Sequence, residues 1–131
     1  MANDVGRMIK DWYAGFNSHD LEKSVLFYTD DCLFEDLATG EVVHGKNEMK
    51  AWNKQTFTDY PEMQIESKSW FASGNKVASE WIMTGTHAHS SIPATPATGK
   101  RFSVRGVSIL ELREGKVSRE TSYWNRADLM Q

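Results

Sequence analysis

The 131-residue chain sets fifteen Lys and Arg against eighteen Asp and Glu, for a net charge of −3. That balance argues against a nucleic-acid binder, which gathers a basic excess on one face. A single cysteine, Cys32, excludes an intramolecular disulfide and a cysteine-based zinc cluster.

In chain order, Val5, Met8, Ile9, Trp12, Tyr13 and Phe16 recur at three- and four-residue spacing and predict a helix over 3–17. Asp20 is placed to cap a short second helix over Leu21–Tyr28, which Thr29-Asp30-Asp31 breaks. Cys32–Asp36 reads as a short strand, Gly40 turns the chain into Glu41–His44, and Lys46–Phe57 reads as a third helix. Met63–Phe71 alternates and ends in the hairpin signal Ser73-Gly74-Asn75. Val77–Thr86, Phe102–Leu112 and Val117–Trp124 are three further β-like runs. Helices followed by strands mark the α+β class. The expected architecture is a single domain over 1–131, with a bent antiparallel sheet of four long strands and a short one wrapped around three N-terminal helices. Residues 88–99, rich in Ala, Ser, Thr and Pro, form a long connection, either a lid or a disordered tip.

No apolar run approaches the roughly 18 residues of a membrane span. The polar start lacks the apolar core of a secretory signal. A soluble, cytoplasmic protein is therefore expected. The composition is ordinary for such a protein, with 40% hydrophobic and 25% charged residues, except in its aromatic content. Five Trp, four Tyr and six Phe exceed what a core of this size obviously needs.

Strand parity points to the residues that could do chemistry. Val104, Gly106, Ser108, Leu110 and Leu112 share one face of their strand, and we assign that face to the concave side. Gly106 and Ser108 would leave empty volume there, although a strand glycine can equally mark a bend. Ser118, Glu120, Ser122 and Trp124 share one face of the last strand, opposite Val117 and Arg119. Asp36 follows Phe34 by two, so a buried Phe34 turns Asp36 inward, where an apolar setting raises a carboxyl pKa and suits it to proton transfer. Its other reading is a carboxylate that binds the turn before Thr39-Gly40. Glu120 reads either as a second inward acid or as a rim residue paired with Arg101, Arg105 or Arg119. His87 and His89 share a face, but no third ligand is marked except His44, whose proximity the sequence leaves open, so a polar group at a pocket mouth is expected rather than a metal site. Trp12, Phe16, Trp52, Trp81 and Trp124 could line a pocket for a small molecule.

Several strings, in their order and spacing, resemble the nuclear transport factor 2-like superfamily and, within it, the polyketide cyclase (SnoaL-like) branch. They are Phe16-Asn17-Ser18-His19-Asp20-Leu21, Tyr28 through Asp36, Gly85-Thr86-His87, Val104 through Ser108, and Gly115-Lys116-Val117 to Tyr123-Trp124-Asn125. The resemblance covers nearly the whole chain. It implies a cone-shaped curved sheet enclosing a pocket, commonly in a homodimer, and it places Asp36 at the general-base position of ketosteroid isomerases. It also exposes departures. Trp12 and Ser108 stand where those isomerases carry an oxyanion-binding Tyr and Asp, and Ser122 and Asn125 stand where related cyclases and epoxide hydrolases carry acids. The expected function is cofactor-independent proton transfer next to a carbonyl of a small hydrophobic substrate. Asp36 and Glu120 would be the catalytic acids, with Trp12, Tyr13, Phe16, Trp52, Trp81, His87, Ser108, Ser122 and Trp124 as substrate contacts. The alternative is a binding protein using the same pocket without chemistry.

Overall fold

The computed structural model describes residues 2–88 and 97–130. Helices α1 (Ala2–Asn17), α2 (Leu21–Ser24) and α3 (Gly45–Asp59) pack against six strands: β1 (Tyr28–Asp36), β2 (Glu41–His44), β3 (Gln64–Ser73), β4 (Lys76–Thr86), β5 (Arg101–Arg113) and β6 (Lys116–Trp124). A 3-10 helix over Arg126–Met130 follows β6. The sheet runs in the order β2-β1-β6-β5-β4-β3 and is curled but unclosed, the α+β form expected. Its neighbours are antiparallel except β1 and β6, which lie parallel. No helix among the described residues is long and apolar enough to cross a membrane.

The first helix buries Met8, Ile9, Trp12 and Tyr13, the face its spacing predicted. Gly15 lets α1 approach α2, since a Cβ there would stand 2.5 Å from the Lys23 carbonyl oxygen. Asp20 caps α2, accepting from the Lys23 N–H at 3.1 Å. That helix is shorter than expected. It ends at Ser24, and Val25, Leu26 and Tyr28 then donate three residues back in tight turns.

Tyr28 through Asp31 belong to β1 instead of breaking a helix. The pairing with β6 slips between Tyr28 and Leu33, so two adjacent exposed residues, Asp30 and Asp31, fit in a strand whose remaining pattern alternates. A second irregularity, between Glu111 and Leu112, turns Val117 into the core. Val117 was expected on the outer face with Arg119. The bulge breaks the simple parity at its start, and the alternation holds from Glu120 onward.

Gly106 does not leave empty volume. The Trp81 indole lies across it, and a Cβ there would come within 2.5 Å of Trp81 Cζ2. Gly106→Ala should therefore destabilise the fold by about 1–3 kcal/mol through overpacking. Thermal unfolding would show a midpoint several degrees lower, and an unchanged midpoint would contradict this account of the glycine.

Candidate functional site

A cavity of about 200 Å³ lies between the concave face of the sheet and the helices. An apolar cavity of about 150 Å³ is enough for benzene, so this one takes a single ring with a few substituents. Its opening is marked by the exposed Glu41 and Gln55. Four of the five tryptophans, Trp12, Trp52, Trp81 and Trp124, line it; Trp70 instead lies outside it, beside Gly6 of α1. The aromatic surplus is wall material. Trp12 meets Tyr13 edge-on at 5.0 Å, and Phe34 meets Trp52 edge-on at 4.9 Å, so the walls brace one another. Phe16 completes the α1 side.

Glu120 sits in the wall at mid-sheet, because β6 is flanked by β1 and β5 and its even positions face inward. Tyr28 donates to its Oε1 at 2.5 Å, and Ser122 and Ser108 donate to Oε2 at 3.2 and 3.3 Å. Ser108 in turn accepts from the Trp81 indole N–H at 2.9 Å and lies 2.9 Å from the Ser122 hydroxyl. Burial pushes the Glu120 carboxyl up to about 7, prevailing over the hydrogen bonds from Tyr28, Ser122 and Ser108 that favour its charged form. The rim alternative for Glu120 does not hold. Arg119 faces Glu35 and Glu111, and Arg105 faces Glu80.

Asp36 closes β1 opposite Ser122 of β6. Glu120 is two residues back on the same face, which puts the two backbones on the order of 8 Å apart. The Asp36 side chain is buried yet lines the cavity. The carboxylate binds the turn and is also turned inward. Oδ1 accepts from the Trp124 indole N–H at 3.0 Å and from the Ala38 and Thr39 backbone N–H groups at 2.9 and 3.3 Å. Oδ2 takes none of these bonds. Burial raises the carboxyl above its ordinary value, against the pull of Trp124, Ala38 and Thr39. Tyr13 is 2.5 Å from Ser79 on the facing sheet, and burial raises its phenol to about 12, so it remains a neutral hydrogen-bonding group.

A family model for the SnoaL-like domain matches residues 9–120. The chain belongs to the SnoaL-like family. Comparison with curated proteins yields no significant match. Among solved structures, a protein described as a SnoaL-like polyketide cyclase from Jannaschia sp. CCS1 superposes with a TM-score of 0.83 at 15% identity, over 98% of this chain and 90% of that one. TsrD from Streptomyces laurentii gives 0.83 at 18% identity, over 97% and 92%. IdmH from Streptomyces antibioticus, described as a polyketide cyclase, gives 0.81 at 19%, over 96% and 95%. At identities this low the likeness establishes the fold alone.

For a SnoaL-like chain, the serine at 122 gains a structural explanation. Its hydroxyl donates to Glu120, so the carboxylate stands one β-repeat earlier on the same face. Of the sequence-predicted contacts, Trp12, Tyr13, Phe16, Trp52, Trp81, Ser108, Ser122 and Trp124 all line the cavity with Asp36 and Glu120. His87 does not. It is fully buried at the end of β4, with its ring 5.3 Å from that of Tyr60 and its ring nitrogens unpartnered among the described residues. Expected at the pocket mouth, it packs beside Tyr60 because the backbone pairs there, His87 N–H to Lys100 O and Gly99 N–H to His87 O, continue the β4–β5 ladder and turn the ring inward. His89 and most of the 88–99 connection lie outside the described residues. Among those described, no group of three His, Cys, Asp or Glu side chains could hold a metal ion.

Several lining residues were missed in the sequence, among them Tyr28 and Tyr60. Tyr28 was assigned to the end of a helix, and only the short α2 and the slipped β1–β6 register aim its hydroxyl at Glu120. Tyr60 follows α3 and carried no pattern signal. Burial, aided by the charges of Asp59, Asp36 and Glu41, raises its phenol to about 12.

Proposed function

We propose that this cavity binds a small, largely apolar molecule and moves a proton next to its carbonyl group, as in a cofactor-independent cyclisation or isomerisation. The observation that carries the reading is the Asp36 carboxylate. Three donors hold Oδ1, none of them engages Oδ2, and the carboxyl lines the cavity with a raised proton affinity. A general base needs that combination of fixed orientation and a basic, accessible oxygen. Glu120, which holds its proton up to about pH 7, is the matching donor to a developing enolate oxygen. Trp12, Trp52, Trp81 and Phe16 would set the plane of the substrate, with Tyr13 and Ser108 as neutral polar contacts. The same reading includes a cytoplasmic homodimer, for which the exposed Phe71 and Tyr123 offer apolar surface to a second copy.

The binder-only reading draws on a different observation. Both oxygens of Glu120 already have hydrogen-bond donors, so this acid is satisfied without a substrate. One assay separates the two. 2-Tetralone, a neutral ketone on an aromatic ring, is incubated in heavy water with the full chain, and loss of its α-proton signals is followed by NMR. Deuteration faster than in buffer alone supports proton transfer. Binding of the ketone without acceleration gives the binder.

A further inference from the structure

The charge of the cavity is one-sided. Four acids line it, Asp36, Glu41, Asp59 and Glu120, the last of which holds its proton up to about pH 7, against a single cation among the described residues, Arg126. That arginine is half-exposed on the 3-10 helix past β6 and lies in none of the salt bridges formed among the described residues. Asp36 and Glu41 pair across β1 and β2, and Asp59 closes α3 next to Tyr60, whereas Glu120 is hydrogen-bonded to Tyr28.

Aromatic surface lies beside these carboxylates. The Trp124 indole N–H donates to Asp36 Oδ1 at 3.0 Å, and Trp124, Tyr60 and Trp52 all line the same cavity. Asp36 is 3% exposed, and its Oδ2 takes none of the hydrogen bonds that fix Oδ1. A negative charge beside a low-dielectric cavity attracts a cation more strongly than it would in water. Ring faces attract cations through their quadrupole, most strongly where water is excluded, and aromatic walls with nearby anions are how proteins hold substituted ammonium groups.

We infer that the ligand of this cavity carries a tertiary or quaternary ammonium group on an apolar body, with the cation lodged among Asp36, Glu41, Asp59 and the rings of Tyr60 and Trp124. The inference rests on the cavity being the ligand site, as proposed above, and names the class of molecule it takes. It does not depend on Asp36 moving a proton. A substituted ammonium is shed by water more readily than a primary one, and its alkyl groups use the apolar walls that a bare ammonium would not. An anionic ligand would meet the same carboxylates unfavourably, with only Arg126 to offset them.

The test uses three probes that share a benzene ring and a tetrahedral head but differ in charge: phenyltrimethylammonium, tert-butylbenzene and benzenesulfonate. Each is titrated into the full chain at neutral pH, and tryptophan fluorescence is followed. The cation is expected to bind about tenfold more tightly than the neutral isostere, and benzenesulfonate more weakly than either. Asp36→Asn keeps an oxygen to accept from Trp124, Ala38 and Thr39, and Glu41→Gln alters an exposed position. Each should weaken the cation by about three- to tenfold and leave tert-butylbenzene within about twofold, which also shows that the cavity is intact. Tighter binding of tert-butylbenzene or benzenesulfonate than of the cation overturns the inference while leaving the cavity and its proton chemistry standing. Binding of none of the three overturns both. Cation binding with no deuteration of 2-tetralone would retain this inference and remove the proposed reaction.

Discussion

Asp36→Asn is expected to lower the protein-catalysed deuteration of 2-tetralone by at least about a hundredfold, the lower end of what a positioned general base contributes. The substitution is conservative in the way that matters for folding. Asn Oδ1 can accept the three hydrogen bonds that Oδ1 of Asp36 accepts now, from Trp124, Ala38 and Thr39. What changes is the second position, where a basic oxygen becomes an amide nitrogen that cannot take a proton. The loss should therefore fall on the rate and not on ketone affinity, read from the concentration dependence of deuteration. The pH profile supplies a second reading. With Asp36 ionised as base and Glu120 protonated as donor, the rate should decline as pH rises through about 7, where Glu120 loses its proton. In Glu120→Gln that decline should disappear. Wild-type deuteration rates in Asp36→Asn would sink the assignment of the base.

The second large effect concerns stability. In the folded protein Glu120 keeps its proton to about pH 7, against an ordinary value of 4.5. Below about 4.5 both folded and unfolded chains hold the proton, and the group contributes nothing. Between 4.5 and 7 the folded chain binds more protons than the unfolded one, so stability falls as pH rises. Above 7 the cost is complete, at about 3 kcal/mol by the conversion of pKa difference to free energy. Glutamine has the shape of the neutral acid. Its carbonyl can accept from Tyr28, and its amide can donate to the Ser108 and Ser122 hydroxyls. Urea unfolding should then find Glu120→Gln close to wild type at pH 5 and more stable by about 3 kcal/mol at pH 8. Taking the difference between the two proteins cancels the carboxylates they share, including Asp36, which is shifted in the same sense. Unfolding curves separated equally at both pH values would show that Glu120 ionises normally.

These two acids show how far the chain was legible. Both could be read as inward-facing: Phe34 set the parity that reaches Asp36, and Glu120 shared one face of its strand with Ser118, Ser122 and Trp124. Their partners were not readable. Tyr28 reaches Glu120 across 92 positions in sequence and Trp124 reaches Asp36 across 88, and no local pattern links residues so far apart. The errors have the same origin. Val117 and Tyr28 lie next to register slips, where one extra residue reverses the parity that alternation assumes. His87 was placed by its neighbourhood in sequence, whereas the β4–β5 ladder decides where its ring goes.

Sequence alone determined the class of fold, the helix face of α1, the cap at Asp20 and the faces of β5 and most of β6. Each depends on spacing or on a hydrogen bond within a few residues. It also raised the question of the surplus aromatic rings. Only the tertiary structure decided that Gly106 holds an indole instead of a void. Only there does one Asp36 oxygen take three hydrogen bonds while the other takes none of them, and Glu120 comes to lie under the hydroxyl of Tyr28. Proton affinity and cavity shape depend on groups that meet from distant strands. Burial governs both, and it exists only once the sheet has curled over the helices.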